Sequence, residues 1–179
     1  MKIAVFCSAN NNIESQYFTL TQQLGEWMAK KGHTLIYGGC NLGLMECVAK
    51  AVHTNGGRTI GVIPSIREKE GQISEYLDVE IPTDSLSDRK DLMLNQCDVC
   101  IALPGGIGTL DELFSVAASH FIGYHHKIVI LYNMSGFWNS LIALLDNLKD
   151  HGMIRGNYHK QIKVANNLQD IEKIIEEER

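Results

Sequence analysis

The stretch LPGGIGTLDE, residues 103–112, decides how the rest of the chain reads. It closes an apolar run of strand length, residues 98–103, and opens onto Leu113, Phe114, Val116 and Ala117, which fall at helical spacing. Gly105, Gly106 and Gly108 carry no Cβ, so backbone N–H groups there can approach an anion closely. The following helix N-terminus adds a favourable partial positive charge, the physical basis of phosphate binding at such turns. Thr109 supplies a hydroxyl at the same place. Thr109 and Glu112 also have the spacing of a capping box, so a plain helix start accounts for part of the pattern. Three glycines exceed what a cap requires.

Outward from this point the same alternation repeats. Strand candidates are residues 3–7, 34–37, 59–63, 78–81, 98–103, 127–132 and 162–165. Between the first two, Ile13, Tyr17, Leu20, Leu24, Trp27 and Met28 form one helical face, and Gly32 stops that helix. Later stripes are Leu44, Met45, Val48 and Val52, then Phe137, Leu141, Leu144, Leu145 and Leu148, then Leu168, Ile171, Ile174 and Ile175. Strand and helix in turn predict an α/β fold, a doubly wound parallel sheet with helices on both faces. With 179 residues, no linker-like segment and no repeat of fixed period, residues 1–179 read as a single domain.

Ligands of such sheets bind beyond the carboxyl ends of the strands, so residues 8–12, 38–43, 64–72, 83–90 and 104–112 are the crests that matter. The second glycine loop, YGGCNLGLME at residues 37–46, makes Gly38 and Gly39 candidates for phosphate or ribose contact. At the first crest Ser8 is the candidate, and no glycine occurs there. The fingerprint GxGxxG is therefore missing where a nicotinamide or flavin dehydrogenase needs it, and GxxxxGK[ST] is missing altogether. In SLSDRKDLM, residues 85–93, Arg89 and Lys90 sit about one turn into a helix, where by themselves they read as solvated charges. Cys97 and Cys100 straddle a strand start and read as core thiols. His120, His125 and His126 lack a third converging ligand, so no metal site is expected.

Composition narrows the class further. Hydrophobic residues are 45% and charged residues 21%, ordinary for a globular chain, and the longest aliphatic or aromatic run, residues 128–132, is far short of the roughly 20 a membrane span needs. MKIAVFCSANNN has no signal-peptide core. Sixteen Lys and Arg against 21 Asp and Glu give a net charge of −5 without a basic block, which disfavours nucleic-acid and membrane-surface binding. Five cysteines, an odd number set mostly in apolar segments, suit reduced thiols and a cytoplasmic protein.

Three segments taken together, YGGCNLGLM, SDRKDLM and PGGIGTLDE, resemble the Lonely Guy family of cytokinin riboside 5′-monophosphate phosphoribohydrolases, whose signature is PGGxGTxxE with an upstream Arg-Lys pair. Sequences of that family are often labelled possible lysine decarboxylases. The resemblance implies a Rossmann-like fold, a homodimer, and hydrolysis of the N-glycosidic bond of a nucleoside 5′-monophosphate to free base and ribose 5-phosphate, with no metal or organic cofactor. By motif position it makes Arg89 and Glu112 the catalytic pair and gives substrate binding to Lys90, Gly105, Gly106, Gly108 and Thr109, with Glu70 as the acidic residue after GVIP. Cys40 and Glu46 stand where the family has glycines, and Ala117, Ala118 and Ser119 where relatives carry a threonine and tryptophan motif. AMP or a related purine nucleotide is thus expected ahead of a prenylated cytokinin. The alternative is a non-catalytic carrier of nucleotides or pterin cofactors. A lysine decarboxylase would need pyridoxal phosphate on a lysine, and no lysine sits in a Schiff-base context.

Overall fold

Residues 1–65 and 71–178 are described by the computed structural model. All seven predicted strands are present: β1 (Lys2–Phe6), β2 (Thr34–Tyr37), β3 (Arg58–Pro64), β4 (Val79–Thr83), β5 (Val99–Ala102), β6 (Val129–Tyr132) and β7 (Ile162–Ala165). Among the described residues six α-helices alternate with them: α1 (Ser15–Lys30), α2 (Gly43–Thr54), α3 (Leu86–Gln96), α4 (Ile107–Phe121), α5 (Asn139–Asp150) and α6 (Leu168–Glu177). The strands form one parallel sheet in the order β4-β3-β2-β1-β5-β6-β7.

Side-chain alternation along the strands builds the two cores. Ile3, Val5 and Cys7 of β1 and its continuation face one side with Leu24, Met28, Leu44, Val48 and Ile171, which come from α1, α2 and α6. Ala4 and Phe6 face the other with Met93, Leu113, Val116 and Leu145, from α3, α4 and α5. Both faces are therefore covered, and the strands read as near-continuous apolar runs for that reason. Gly32 takes φ +68 at the end of α1, as its predicted stop requires.

Five of the seven strands differ from their predicted ranges by one or two residues at an end, and β4 is the one whose shift has a visible reason. Residues 78–81 become Val79–Thr83, so the strand continues through Pro82. Pro82 has no N–H to give a ladder, but β4 is at the sheet edge and needs only one partner.

The chain winds outward from β1 to β4 on one side, then returns to place β5 against the other side of β1. Phe6 pairs in register with Ala102, so β1 and β5 end at the same level. Two hydrogen bonds extend the pairing into the crests: Leu103 N–H donates to Phe6 O at 2.9 Å and Ser8 N–H to Pro104 O at 3.1 Å. This reversal of strand order is the topological switch point, where an open parallel sheet has its ligand crevice.

Candidate active site

At the switch point lies a cavity of about 410 Å³ walled by residues 7–10, Met45, Arg89, Gly106, Gly108, Thr109 and Glu112. Three segments build it.

The first is the crest after β1. Ser8 Oγ accepts the N–H of Asn10 at 3.0 Å, and Asn10 Oδ1 accepts the N–H of Asn12 at 2.8 Å. These local side-chain turns replace the glycines that other crests use. The loop is then tied to the second glycine loop: Leu44 N–H donates to Ser8 O at 2.9 Å, and Gly43 N–H to Asn11 Oδ1 at 2.8 Å. Gly43, at φ +59, is indispensable here, because a Cβ would lie 2.5 to 2.7 Å from the backbone of residues 8–10. Gly38 and Gly39 are not part of the cavity wall. The second glycine loop backs the first crest and contributes Met45 to the wall.

The second is the start of α4. Gly106 is its N-cap, and no side chain caps it. Thr109 therefore lies inside the first turn, so the capping box suggested by its spacing to Glu112 does not form. The first-turn N–H groups of a helix have no intrahelical partners and carry the positive end of its dipole. Gly106, Gly108 and Thr109 bring that end to the cavity. Gly105 sits just behind, with the Thr109 side chain occupying the space its Cβ would take.

The third is α3. Ser85 Oγ accepts the N–H of Asp88 at 3.1 Å and starts the helix, which sets Arg89 on its inner face. Arg89 Nη1 donates to Glu112 Oε1 at 2.8 Å, and Arg89 Nε donates to Val62 O at 3.1 Å. The two side chains are 12% and 6% exposed, so this is a buried pair at a cavity wall. Burial pushes the Glu112 carboxyl above the ordinary carboxylate range. The Arg89 guanidinium pulls it back without cancelling the rise. Cys7 lies in the same wall, and burial holds its thiol well above the ordinary value, so it is a neutral group and not a nucleophile.

Lys90, next in sequence to Arg89, points elsewhere. Its Nζ donates to both carboxylate oxygens of Asp111 at 2.9 Å, beside a separate pocket of about 30 Å³ shared with Glu112, Ser115 and Ser119. Glu70 lies outside the described residues. Residues 7, 9, 10 and 45 belong to the wall without having been singled out. Their signal was positional: three follow β1 and one opens α2. Among the described residues no group of three or more His, Cys, Asp or Glu could hold a metal ion. Cys97 and Cys100 approach to 3.6 Å in the core, away from the cavity wall.

Fold and site thus define a Rossmann-like α/β protein with its crevice between β1 and β5. Residues 45–175 match the family model described as possible lysine decarboxylase. The cytokinin riboside 5′-monophosphate phosphoribohydrolase LOG7 of Arabidopsis thaliana is 35% identical over 98% of this chain and 81% of its own length. The enzyme of that name from Mycobacterium tuberculosis is 33% identical over 94% of this chain and 89% of its own. The chain belongs to this family, the one its three segments resemble. Among solved structures the Moco carrier protein of Chlamydomonas reinhardtii superposes with a TM-score of 0.76 over 99% of this chain and 96% of its own, at 24% identity, a likeness of fold.

The family's description as a decarboxylase implies pyridoxal phosphate, which is held through a lysine amine. No described residue of the cavity wall is a lysine, and Lys90 commits its ammonium to Asp111. These residues do not fit that cofactor. No helix of the described residues is long and apolar enough to cross a membrane.

Proposed function

We propose that the protein is an N-ribosyl hydrolase that converts a nucleoside 5′-monophosphate into free base and ribose 5-phosphate. One observation carries the reading: a buried Arg–carboxylate pair faces the same cavity as an uncapped helix N-terminus. The first-turn amides of α4, with Gly106, Gly108 and Thr109, take the 5′-phosphate, and Gly105 leaves room for Thr109 to turn toward it. Phosphate binding then orients the sugar over Glu112. As the bond from the anomeric carbon to the base nitrogen breaks, its electron pair leaves with the base and the ring gains oxocarbenium character. Glu112 stabilises that charge and accepts a proton from the attacking water. A carboxylate whose affinity for protons is raised is a better base near neutrality. Arg89 holds one carboxylate oxygen, which leaves the other for water. Ser8 lines the sugar side.

AMP or a related purine nucleotide is the substrate we assign. The working form is a homodimer, supported by an exposed apolar stripe along α4 and its C-cap, in which Ile107 and the capping Ile122 are 83% and 70% exposed beside Phe114 and Phe121. The five free cysteines and the acidic balance support a cytoplasmic protein that does not engage nucleic acid. The test is incubation with AMP and other nucleoside monophosphates, with chromatography of base and ribose 5-phosphate. Release of both that is lost in Glu112→Gln is the expected result. Tight binding with no release would instead identify a carrier.

A further inference from the structure

Gly38 directly follows β2 and does not reach the cavity. Its backbone does not require glycine, since its φ is outside the left-handed region. The requirement is one of space. A Cβ on Gly38 would overlap Arg89 Nη2, lie 3.3 Å from Arg89 Cζ and come within 3.2 Å of Met45 Sδ. The guanidinium is therefore fixed on three sides: Nε on Val62 O at the end region of β3, Nη1 on Glu112 Oε1 of α4, and Nη2 against the bare Cα of Gly38.

We propose that Gly38 is a positioning residue for the hydrolytic reaction, its missing side chain forming the seat that keeps the Arg89 guanidinium facing Glu112. The inference rests on the hydrolase reading for its kinetic consequence but not for its geometry. The atoms a methyl group would strike are the far ends of two flexible side chains, so Gly38→Ala yields by displacing them while the backbone stays in place. Met45 moves freely, because a thioether has no directional bond to keep. Arg89 cannot move without losing the Val62 carbonyl, the Glu112 carboxylate or both, since its donors form a rigid planar fork. A glycine that the sequence presents as a candidate for phosphate or ribose contact thus acts on catalysis through the arginine.

A double-mutant cycle between Gly38→Ala and Arg89→Ala tests this, read by ¹³C titration of the Glu112 carboxyl, assigned with Glu112→Gln, and by turnover of AMP. The charged and titratable groups around that carboxyl are Arg89, Lys90, Asp111 and the thiols of Cys7 and Cys100, and only Arg89 is struck by the added methyl. Gly38→Ala is expected to move the Glu112 midpoint upward and to lower kcat by about 10- to 100-fold, with ribose 5-phosphate affinity changed by less than about threefold. In the Arg89→Ala background the same substitution is expected to leave the midpoint where it is. An equal shift in both backgrounds, or none in either, overturns the seat. Should Gly38→Ala fail to fold, Gly38→Ala with Arg89→Lys removes the colliding head group: recovery of folding supports the proposal, and failure of both overturns it. If the unaltered protein releases no base from any nucleotide, the hydrolase reading falls while the titration cycle still decides the role of Gly38.

Discussion

Removing Arg89 leaves a carboxylate buried without its partner. Breaking a buried ion pair from one side costs about 3–5 kcal/mol. Glu112 borders a cavity of about 410 Å³ that admits water, which places the cost near the lower end, about 3 kcal/mol. That figure holds only while Glu112 is ionised. Its carboxyl is already raised by burial, and losing the guanidinium raises it further. A raised carboxyl contributes its full stability below the unfolded-state value and loses it as pH rises through the folded-state value. Arg89→Ala is therefore expected to be costly at pH 8 and mild at pH 5, where about 1 kcal/mol remains for the lost hydrogen bond to Val62 O. With a urea slope of about 2 kcal/mol/M, the midpoint falls by about 1.5 M at pH 8 and by about 0.5 M at pH 5. Urea titrations of both proteins at both pH values, at one fixed protein concentration, measure the difference. An equal loss at the two pH values refutes the reasoning, because the pair would then contribute packing alone.

Other outcomes follow from the same geometry. Gly43→Ala, at φ +59 with backbone atoms crowding its Cβ, is expected to lower the melting temperature far more than Gly56→Ala, at φ +78 in open space, whose cost is about 1 kcal/mol; calorimetry of the two variants compares them. The acid limb of the kcat profile should lie above the ordinary carboxylate range, since activity needs ionised Glu112, and a limb at or below that range would remove Glu112 as the base. Lys90→Ala breaks only a half-exposed pair with Asp111, so stability should change by less than about 1 kcal/mol. A tenfold rise in KM for AMP in that variant would bring Lys90 to the substrate after all. Ile107→Lys should shift the particle seen by light scattering from dimer to monomer, and an unchanged mass would clear the α4 stripe of that role.

Strands and helices were legible because each carries an apolar pattern that burial on both faces demands. A strand over residues 98–103 and a helix carrying Leu113, Phe114, Val116 and Ala117 were readable on either side of LPGGIGTLDE, although the strand ends at Ala102 and the helix begins earlier, at Ile107. Less legible was how the crests are made. Glycine is the sequence mark of close backbone approach, yet the crest after β1 achieves it with Ser8 and Asn10 side chains folded onto neighbouring N–H groups. Conversely, Gly38, a candidate for phosphate or ribose contact by sequence, lies outside the cavity wall and leaves room for Arg89, while Gly43, which no motif singles out, leaves room for residues 8–10. Such steric vacancies depend on segments far apart in sequence, which spacing along one chain does not encode. The capping box failed for a related reason: α4 starts at Ile107, ahead of Thr109, and the Glu112 carboxylate is drawn to a guanidinium from another helix. Lys90 shows the limit of adjacency, since consecutive residues on a helix point about 100° apart and only one of the pair can face inward.

The strand order also bears on how the molecule comes together in time. β1 is the first strand of the chain and the central one, but its neighbour β5 joins it through pairings such as Ile3 with Val99. A growing chain that has reached only Thr83 can zip β1 to β4 in sequence and would still present β1 as a bare edge. Such an edge invites pairing with other chains. Closing it requires a contact of high sequence separation, which is slow to form. Because β5 also delivers the helix that carries Glu112, the event that buries this edge is the same one that assembles the cavity. Partly folded chains are thus both sticky and inert, and become safe and competent together.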